Sequence, residues 1–321
     1  MKIVVTGGAG FIGSHVVDRL LNDGYEVVSL DDFTLGTRKH FAHHLGKEKF
    51  KFIELDVAEN KKLAETFLEF KPDCVFHFAA NSDIQSGSID SSIDLHKTFM
   101  TTVSVLEAMK SSGCKNIVFA SSSVVYGERD SQNPISETSG PFLPISNYGA
   151  AKLASEGFIS AYSNTYDFKA WIFRFANICG PRSTHGVFVN FLRFLRNDAK
   201  KIEVARDGKQ AKPYVYVLDI VEAIMLGWHN GGSEQINIYN IGNTPLVSVN
   251  EILDAILKEK GITSIERQYT NAPAWAGDVI TYAFDDSKIR AIGYKPKYDS
   301  KEAVLLTTKE LVHNPEAAIA I

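Results

Sequence analysis

The sequence predicts an α/β fold: a doubly wound parallel sheet with a smaller C-terminal α/β lobe. Two observations carry this expectation. Short, β-branched apolar runs alternate with helical patterns through the first half of the 321 residues, and a glycine-rich turn stands between the first run and the first helix. Parallel strands need long crossovers, and helices serve as crossovers on both faces of a sheet.

Taken in order, strands are expected at "KIVVT" (2–6), "EVVSL" (26–30), "KFIEL" (51–55), "CVFHF" (74–78) and "NIVFA" (116–120). Each is short, apolar and bounded by turn residues, as buried parallel strands are. Helical periodicity fills 12–23, 60–70 and 92–112. Residues 127–147, "GERDSQNPISETSGPFLPISN", hold three prolines and break all periodicity. A loop that long inside a compact domain is usually functional or mobile. A helix follows from 148, then a strand-like "KAWIFRFA" (169–176). Beyond it, helical patterns near 187–197, 218–229, 248–259 and 301–312 mix with isolated strands at 202–205, 214–217 and 236–241. The expected division is a sheet domain at 1–176, rejoined by a strand near 236–241, and a substrate-binding lobe at 177–321. That lobe would cover the carboxyl ends of the strands, where ligands bind in such folds.

Bulk properties exclude several classes of function. A formal charge of −4, from 34 basic and 38 acidic residues, offers no polyanion-binding surface. The densest basic stretch, "RFLRNDAKK" (193–201), is interrupted by Asp198 and reads as a solvated helix end, so no nucleic-acid partner is expected. Cys74, Cys114 and Cys179 are too few and too scattered for a disulfide framework or a zinc site. His40, His43 and His44 lack companion acids or cysteines in the sequence, so no metal is expected. His77, Trp171 and Trp228 read as packed residues. The chain opens on an apolar strand without the features of a signal peptide, and no apolar run reaches membrane-spanning length. The cytoplasm is the expected home.

The glycine turn, "VTGGAGFIGSH" (5–15), spaces Gly7, Gly10 and Gly13 as G-x-x-G-x-x-G. Glycine permits the tight turn and lets backbone N–H groups approach a pyrophosphate at the helix start. Asp31 and Asp32 end the second strand, 18 and 19 residues after Gly13. An acid there accepts hydrogen bonds from an adenosine ribose and repels a 2′-phosphate, so the expected cofactor is NAD rather than NADP. The sheet is therefore expected to be of the Rossmann type.

In "SNYGAAKLASE" (146–156), Tyr148 and Lys152 stand four residues apart, one turn apart on one helix face. With "SSSVVYG" (121–127) upstream, the order of motifs resembles the extended short-chain dehydrogenase/reductase family, and within it the nucleotide-sugar epimerases of the UDP-glucose or UDP-glucuronate 4-epimerase type. Further matching segments are "LDD" (30–32), "LDV" (55–57), "HFAA" (77–80), "RFANICGPR" (174–182), "DGKQAKPYVYVLDIVEA" (207–223) and "GD" (277–278).

The resemblance implies roles for individual positions. Gly7, Gly10, Phe11, Ile12 and Gly13 would hold the pyrophosphate, Asp31 and Asp32 the ribose, and Asp56 and Val57 would flank the adenine. Phe78, Ala79 and Ala80 would line the middle of the cofactor. Ser122, Tyr148 and Lys152 match the catalytic positions, with Tyr148 and Lys152 also touching the cofactor. Ser82, Ser123, Asn177, Lys212 and Asp278 would join Ser122 and Tyr148 around the nucleotide sugar. Where the family usually places arginines on the diphosphate, this chain has Lys212, and Pro273, Ala274 and Trp275; Arg182 and Arg206 are candidates to compensate. The helices at 92–112 and 148–166 resemble the pair that forms a four-helix dimer bundle, so a homodimer is implied.

The chemistry is intelligible from the residues. A free tyrosine ionises near about 10, so it is a poor base at neutral pH. A fixed ammonium nearby, together with the positive nicotinamide ring, favours the phenolate and brings its pKa toward the working range. Related dehydratases carry an Asp-Glu pair after the catalytic residue, where this chain has Ser123 and Val124, and a valine moves no proton. A 4-epimerase is thus expected, oxidising one carbon, turning the ketose over and reducing its other face. Alternatives are a reductase, decarboxylase or dehydratase of the same kind, or a non-catalytic NAD-binding scaffold.

Overall fold

A computed structural model describes residues 1–314 apart from 198, 199, 271 and 274, so Asp198 and Ala274 lie outside the described residues. Its centre is a seven-stranded, all-parallel sheet. The strands are β1 (Lys2–Thr6), β2 (Glu26–Asp31), β3 (Phe50–Glu54), β4 (Cys74–His77), β5 (Asn116–Ser122), β6 (Lys169–Phe175) and, after four short strands of the second half, β11 (Ile236–Ile241). Their spatial order is β11-β6-β5-β4-β1-β2-β3, the doubly wound order that reverses beside β1.

Alternate residues of each strand serve opposite faces. Ile3 and Val5 pack with Val16, Val17 and Leu20 of α1 (Phe11–Asn22), whereas Val4 packs with Leu63 and Phe67 of α2 (Asn60–Phe70). Both faces are therefore covered, which is why these strands are apolar throughout. Trp228 belongs to the first cluster from α8 (Val217–Asn230), and Trp171 is buried with its Nε1 donating to the Gly231 carbonyl at 3.0 Å. All three cysteines are buried free thiols.

The helix expected at 92–112 is present as unbroken helical backbone over 91–112, with a π-helical stretch inside it. Short α3 (Ile84–Ile89) and α4 (Ser91–Asp94) lead into a π-helical turn, Leu95–Met100, before α5 (Thr101–Ser112) begins. A π-turn inserts an extra residue per turn and changes which face the following side chains take. Helix α6 (Asn147–Tyr166) starts with a proper cap: Ser146 Oγ accepts from the Gly149 N–H at 3.1 Å.

The second half contributes β7 (Asn177–Cys179), α7 (Val187–Phe194), β8 (Lys201–Val204), β9 (Ala211–Lys212), β10 (Tyr214–Tyr216), β12 (Val247–Ser248), α9 (Val249–Glu259), β13 (Glu266–Tyr269), α10 (Ser287–Ala291) and α11 (Ser300–His313). Strands that looked isolated have partners: β10 pairs with β7, β9 with β12 and β8 with β13. Phe188 and Leu192 of α7, Ile252 and Ile256 of α9, and Val304 and Leu311 of α11 build a separate core.

Candidate active site

At the carboxyl ends of the sheet strands lies a cavity of about 1020 Å³. The residues singled out from the sequence converge on it. Gly7, Gly10, Phe11, Ile12 and Gly13, then Asp31, Asp32, Asp56 and Val57, then Phe78, Ala79 and Ala80 line one half. Ser82, Ser122, Ser123, Tyr148, Lys152, Asn177, Lys212 and Asp278 line the rest.

The glycine turn leaves no room for side chains. Gly7 has φ +72°, and a Cβ there would lie 2.7 Å from the Ala79 nitrogen. A Cβ on Gly13 would sit 2.2 Å from the Gly7 carbonyl oxygen. Helix α1 begins at Gly10 with no side-chain cap, so its first-turn N–H groups face the turn, the arrangement that accepts a pyrophosphate. Asp31 braces this turn: its carboxylate accepts from the N–H groups of Ala9 (3.0 Å) and Phe33 (2.9 Å). The residues present fit NAD.

At the opposite end, Ser122 terminates β5 and Tyr148 opens α6. Lys152 is buried, and its Nζ donates to the Ala120 carbonyl at 2.7 Å while lying 5.8 Å from the Tyr148 ring centroid. The protein's own groups do not lower the phenol's pKa. Burial, reinforced by the Asp94 carboxylate, raises Tyr148, and burial lowers Lys152 to about 7 despite Glu156 and Asp94. Desolvation outweighs the ammonium, whose short hydrogen bond is spent on a carbonyl.

Behind the pair stands a buried bidentate ion pair. Arg174 Nε and Nη2 donate to Glu156 Oε1 and Oε2 at 3.0 and 2.6 Å, and Ser121 Oγ donates to Oε1 at 2.5 Å. Arg174 also donates to the Tyr126 hydroxyl (2.7 Å) and the Glu137 carbonyl (3.0 Å). The 127–147 loop is thereby tied to the sheet, and within it Gly127 and Ile135 reach the cavity.

Several lining residues carried no sequence signal. Lys97, in the π-turn, reaches Asp32 Oδ2 at 2.8 Å and Asp56 Oδ2 at 2.7 Å. The Tyr282 hydroxyl accepts from Ser123 Oγ (3.1 Å) and donates to Asn177 Oδ1 (3.3 Å). Arg193, from the stretch read as a solvated helix end, lines the cavity with His185 and Trp275. Arg193 is nevertheless exposed in the last turn of α7, as a solvated helix end should be.

The candidate phosphate arginines separate. Arg182 Nη2 is bound to Asp18 of α1 at 2.8 Å, whereas Arg206 reaches the Asp278 carbonyl at 3.3 Å beside the cavity. Lys212 is paired with Asp278 at 2.7 Å, its ammonium 5.7 Å from the Trp275 ring centroid. The expectation that His43 and His44 have no acid companion is also corrected: Asp18 Oδ1 lies 3.0 and 2.6 Å from their Nε2 atoms. Arg182 and Lys47 already compensate this group, Lys47 Nζ lying 2.9 Å from His44 Nδ1. His77 is fully buried between the hydroxyls of Thr6 (2.6 Å) and Thr102 (3.0 Å), as a packed histidine.

Residues 3–242 match the model of the NAD dependent epimerase/dehydratase family. The chain belongs to that family. It is accordingly an NAD-dependent enzyme of the epimerase type. The chain is 34% identical to a putative UDP-glucose 4-epimerase of Methanocaldococcus jannaschii, over 94% of this chain and 95% of that protein. The structure of the Thermus thermophilus UDP-glucose 4-epimerase in complex with NAD superposes with a TM-score of 0.86 at 31% identity, covering 98% and 100% of the two chains. The dTDP-glucose 4,6-dehydratase DesIV of Streptomyces venezuelae, with NAD and TYD bound, gives 0.89 at 28% identity and 99% of each chain. No helix among the described residues is long and apolar enough to cross a membrane.

Proposed function

We propose that this enzyme is a nucleotide-sugar 4-epimerase, with UDP-glucose/UDP-galactose as the favoured pair. The observation that carries the reading is the joint placement of Ser122, Tyr148 and Lys152 in the cavity that the glycine turn also lines. NAD, when bound, supplies the hydride acceptor and donor and a positively charged nicotinamide ring. Tyr148 takes the proton from the sugar hydroxyl and later returns it. Ser122 holds the reacting oxygen by a hydrogen bond. Lys152, one turn from Tyr148, would hold the nicotinamide ribose and, when protonated, favour the phenolate.

Two observations favour epimerisation of a neutral sugar. Val124, which lines the cavity after Ser123, has no proton to give, so an acid–base pair for dehydration is missing from these two positions. Ser123, Tyr282 and Asn177 present hydroxyls and an amide, neutral groups that both donate to and accept from sugar hydroxyls. Residues 177–321, apart from β11, act as the substrate lobe in this reading, with Lys212, Arg193 and Arg206 near the diphosphate.

The test is incubation of the purified protein with a panel of nucleotide sugars, uronates included, without added NAD. Interconversion of one pair of 4-epimers, without net NADH and without solvent deuterium at C5, is the expected result. Stoichiometric NADH would identify a dehydrogenase or decarboxylase instead, and a 4-keto-6-deoxy product a dehydratase.

We further propose a homodimer through the outer faces of α5 and α6. Phe158 on α6 is 42% exposed and meets Phe99 edge-on at 5.0 Å, with Leu95 and Met100 exposed at the two ends of the π-turn. Light scattering should give twice the chain mass, and Phe158→Glu should give the monomer.

A further inference from the structure

Three carboxylates line the adenosine end of the cavity, and they are not equivalent. Asp31 uses both oxygens on the backbone N–H groups of Ala9 and Phe33. Asp32 gives Oδ1 to the Thr34 N–H at 2.9 Å and Oδ2 to Lys97. Asp56 gives Oδ1 to the Ala58 N–H at 2.9 Å and Oδ2 to the same ammonium. Lys97 thus bridges the carboxyl ends of β2 and β3 from a different element. The π-turn at Leu95–Met100 holds it there, while the next residue, Thr98, accepts from the Asn81 N–H at 3.1 Å.

An acid after the second strand disfavours a 2′-phosphate through charge and through competition for the ribose hydroxyls. Here Asp32 shares a counter-ion, Lys97, with Asp56. The side chains of Asp32 and Lys97 are 27% and 34% exposed, so both meet the cavity rather than the core. The two described bonds use two of the three donors of an ammonium. A phosphate ester at the ribose would therefore meet two carboxylates that share one ammonium, and not two bare carboxylates.

We infer that Lys97 sets how strictly this pocket discriminates between NAD and the 2′-phosphorylated dinucleotide NADP. The inference rests on the NAD cavity but not on the sugar reaction. With Lys97 in place, exclusion of the phosphate is graded; without it, Asp32 and Asp56 face the ligand as two uncompensated charges.

The experiment is calorimetric titration of nucleotide-stripped protein with NAD and with NADP, without any sugar. Lys97→Met should raise the ratio of the NADP to the NAD dissociation constant by about tenfold or more at low salt, from the loss of one charge within a few ångströms. Lys97→Arg should hold the ratio near that of the unaltered protein, and Asp32→Asn should lower it. The Lys97→Met effect should shrink as ionic strength rises. Equal weakening of both dinucleotides by Lys97→Met would make Lys97 a structural brace and overturn the inference. Should that variant not fold, an unchanged ratio in Asp32→Asn overturns it as well. Neither result bears on whether the enzyme epimerises sugars.

Discussion

The ammonium of Lys152 lies 5.8 Å from the ring centroid of Tyr148, yet its hydrogen bond goes to the carbonyl oxygen of Ala120 at 2.7 Å. The lysine is held in place by the end of β5, the strand that also carries Ser122. One strand terminus therefore sets the spacing of all three polar groups. It also fits the dominance of burial in the ionisation of Tyr148 and Lys152: the ammonium faces the sheet as much as the phenol.

Replacing Tyr148 by Phe removes the proton acceptor and little else. Turnover is expected to fall by about 10²–10⁴-fold, the range for loss of a general base. Bound NAD should be retained, measured by releasing and quantifying nucleotide from the purified variant. Full turnover in this variant would sink the mechanism.

Gly13→Ala places a methyl group 2.2 Å from the Gly7 carbonyl oxygen, so the turn or the start of α1 must move. NAD content after purification is expected to collapse while far-ultraviolet circular dichroism stays close to that of the parent. Full occupancy would show that the turn can open without losing its ligand.

Glu156→Gln breaks the buried pair with Arg174. Leaving the guanidinium without its counter-ion should cost about 3–5 kcal/mol, seen as a lower denaturant midpoint. The double variant Glu156→Leu, Arg174→Met should recover much of the loss, because a well-packed apolar pair has no buried charge to satisfy. A single variant as stable as the parent would mean that the pair is solvated in solution.

His77 should make the protein sensitive to acid. Burial, with the nearby Lys152 charge, lowers its pKa from the ordinary 6.5 to about 3. Between those values the unfolded chain binds a proton that the folded one does not, so stability falls as pH drops from about 6.5 toward 3. The slope from this one group approaches about 1.4 kcal/mol per pH unit. His15 and His40, each lowered to about 4 chiefly by burial, act with the same sign. Urea midpoints for His77→Gln from about pH 7 down to about pH 4 should show a shallower decline by about one proton. An unchanged slope would refute the assignment to His77.

Much of this was legible in the sequence, for identifiable reasons. Most of the sheet strands are apolar runs separated by helical patterns, so their positions and the fold class follow from pattern alone. β9 and β12 were not legible, since strands of two residues carry no period, β13 is polar and largely exposed, and β7 follows β6 after a single residue. The π-turn was equally hidden: "LHKTFM" reads as ordinary helix, and one inserted residue decides that Lys97 enters the cofactor cavity. Tyr282 lies beyond the motifs, and Asp18 is 25 residues from His43, so only the folded chain brings each to its partners. The raised phenol of Tyr148 was missed for a different reason. Spacing on a helix shows who is adjacent, and desolvation depends on everything packed around them.

The late strand β11 has a consequence for how the protein is made. Six strands of the sheet are complete once synthesis has passed Phe175, but the partner of β6 does not exist until Ile236–Ile241 emerges. Through that interval the growing polypeptide holds an unpaired apolar edge, the kind that recruits a neighbouring chain. A fragment ending at residue 176 is for that reason expected to aggregate rather than persist as a nucleotide-binding module. The closing strand makes the nascent chain's safety depend on finishing the distal half, so a ribosome that stalls midway releases something insoluble instead of half an enzyme.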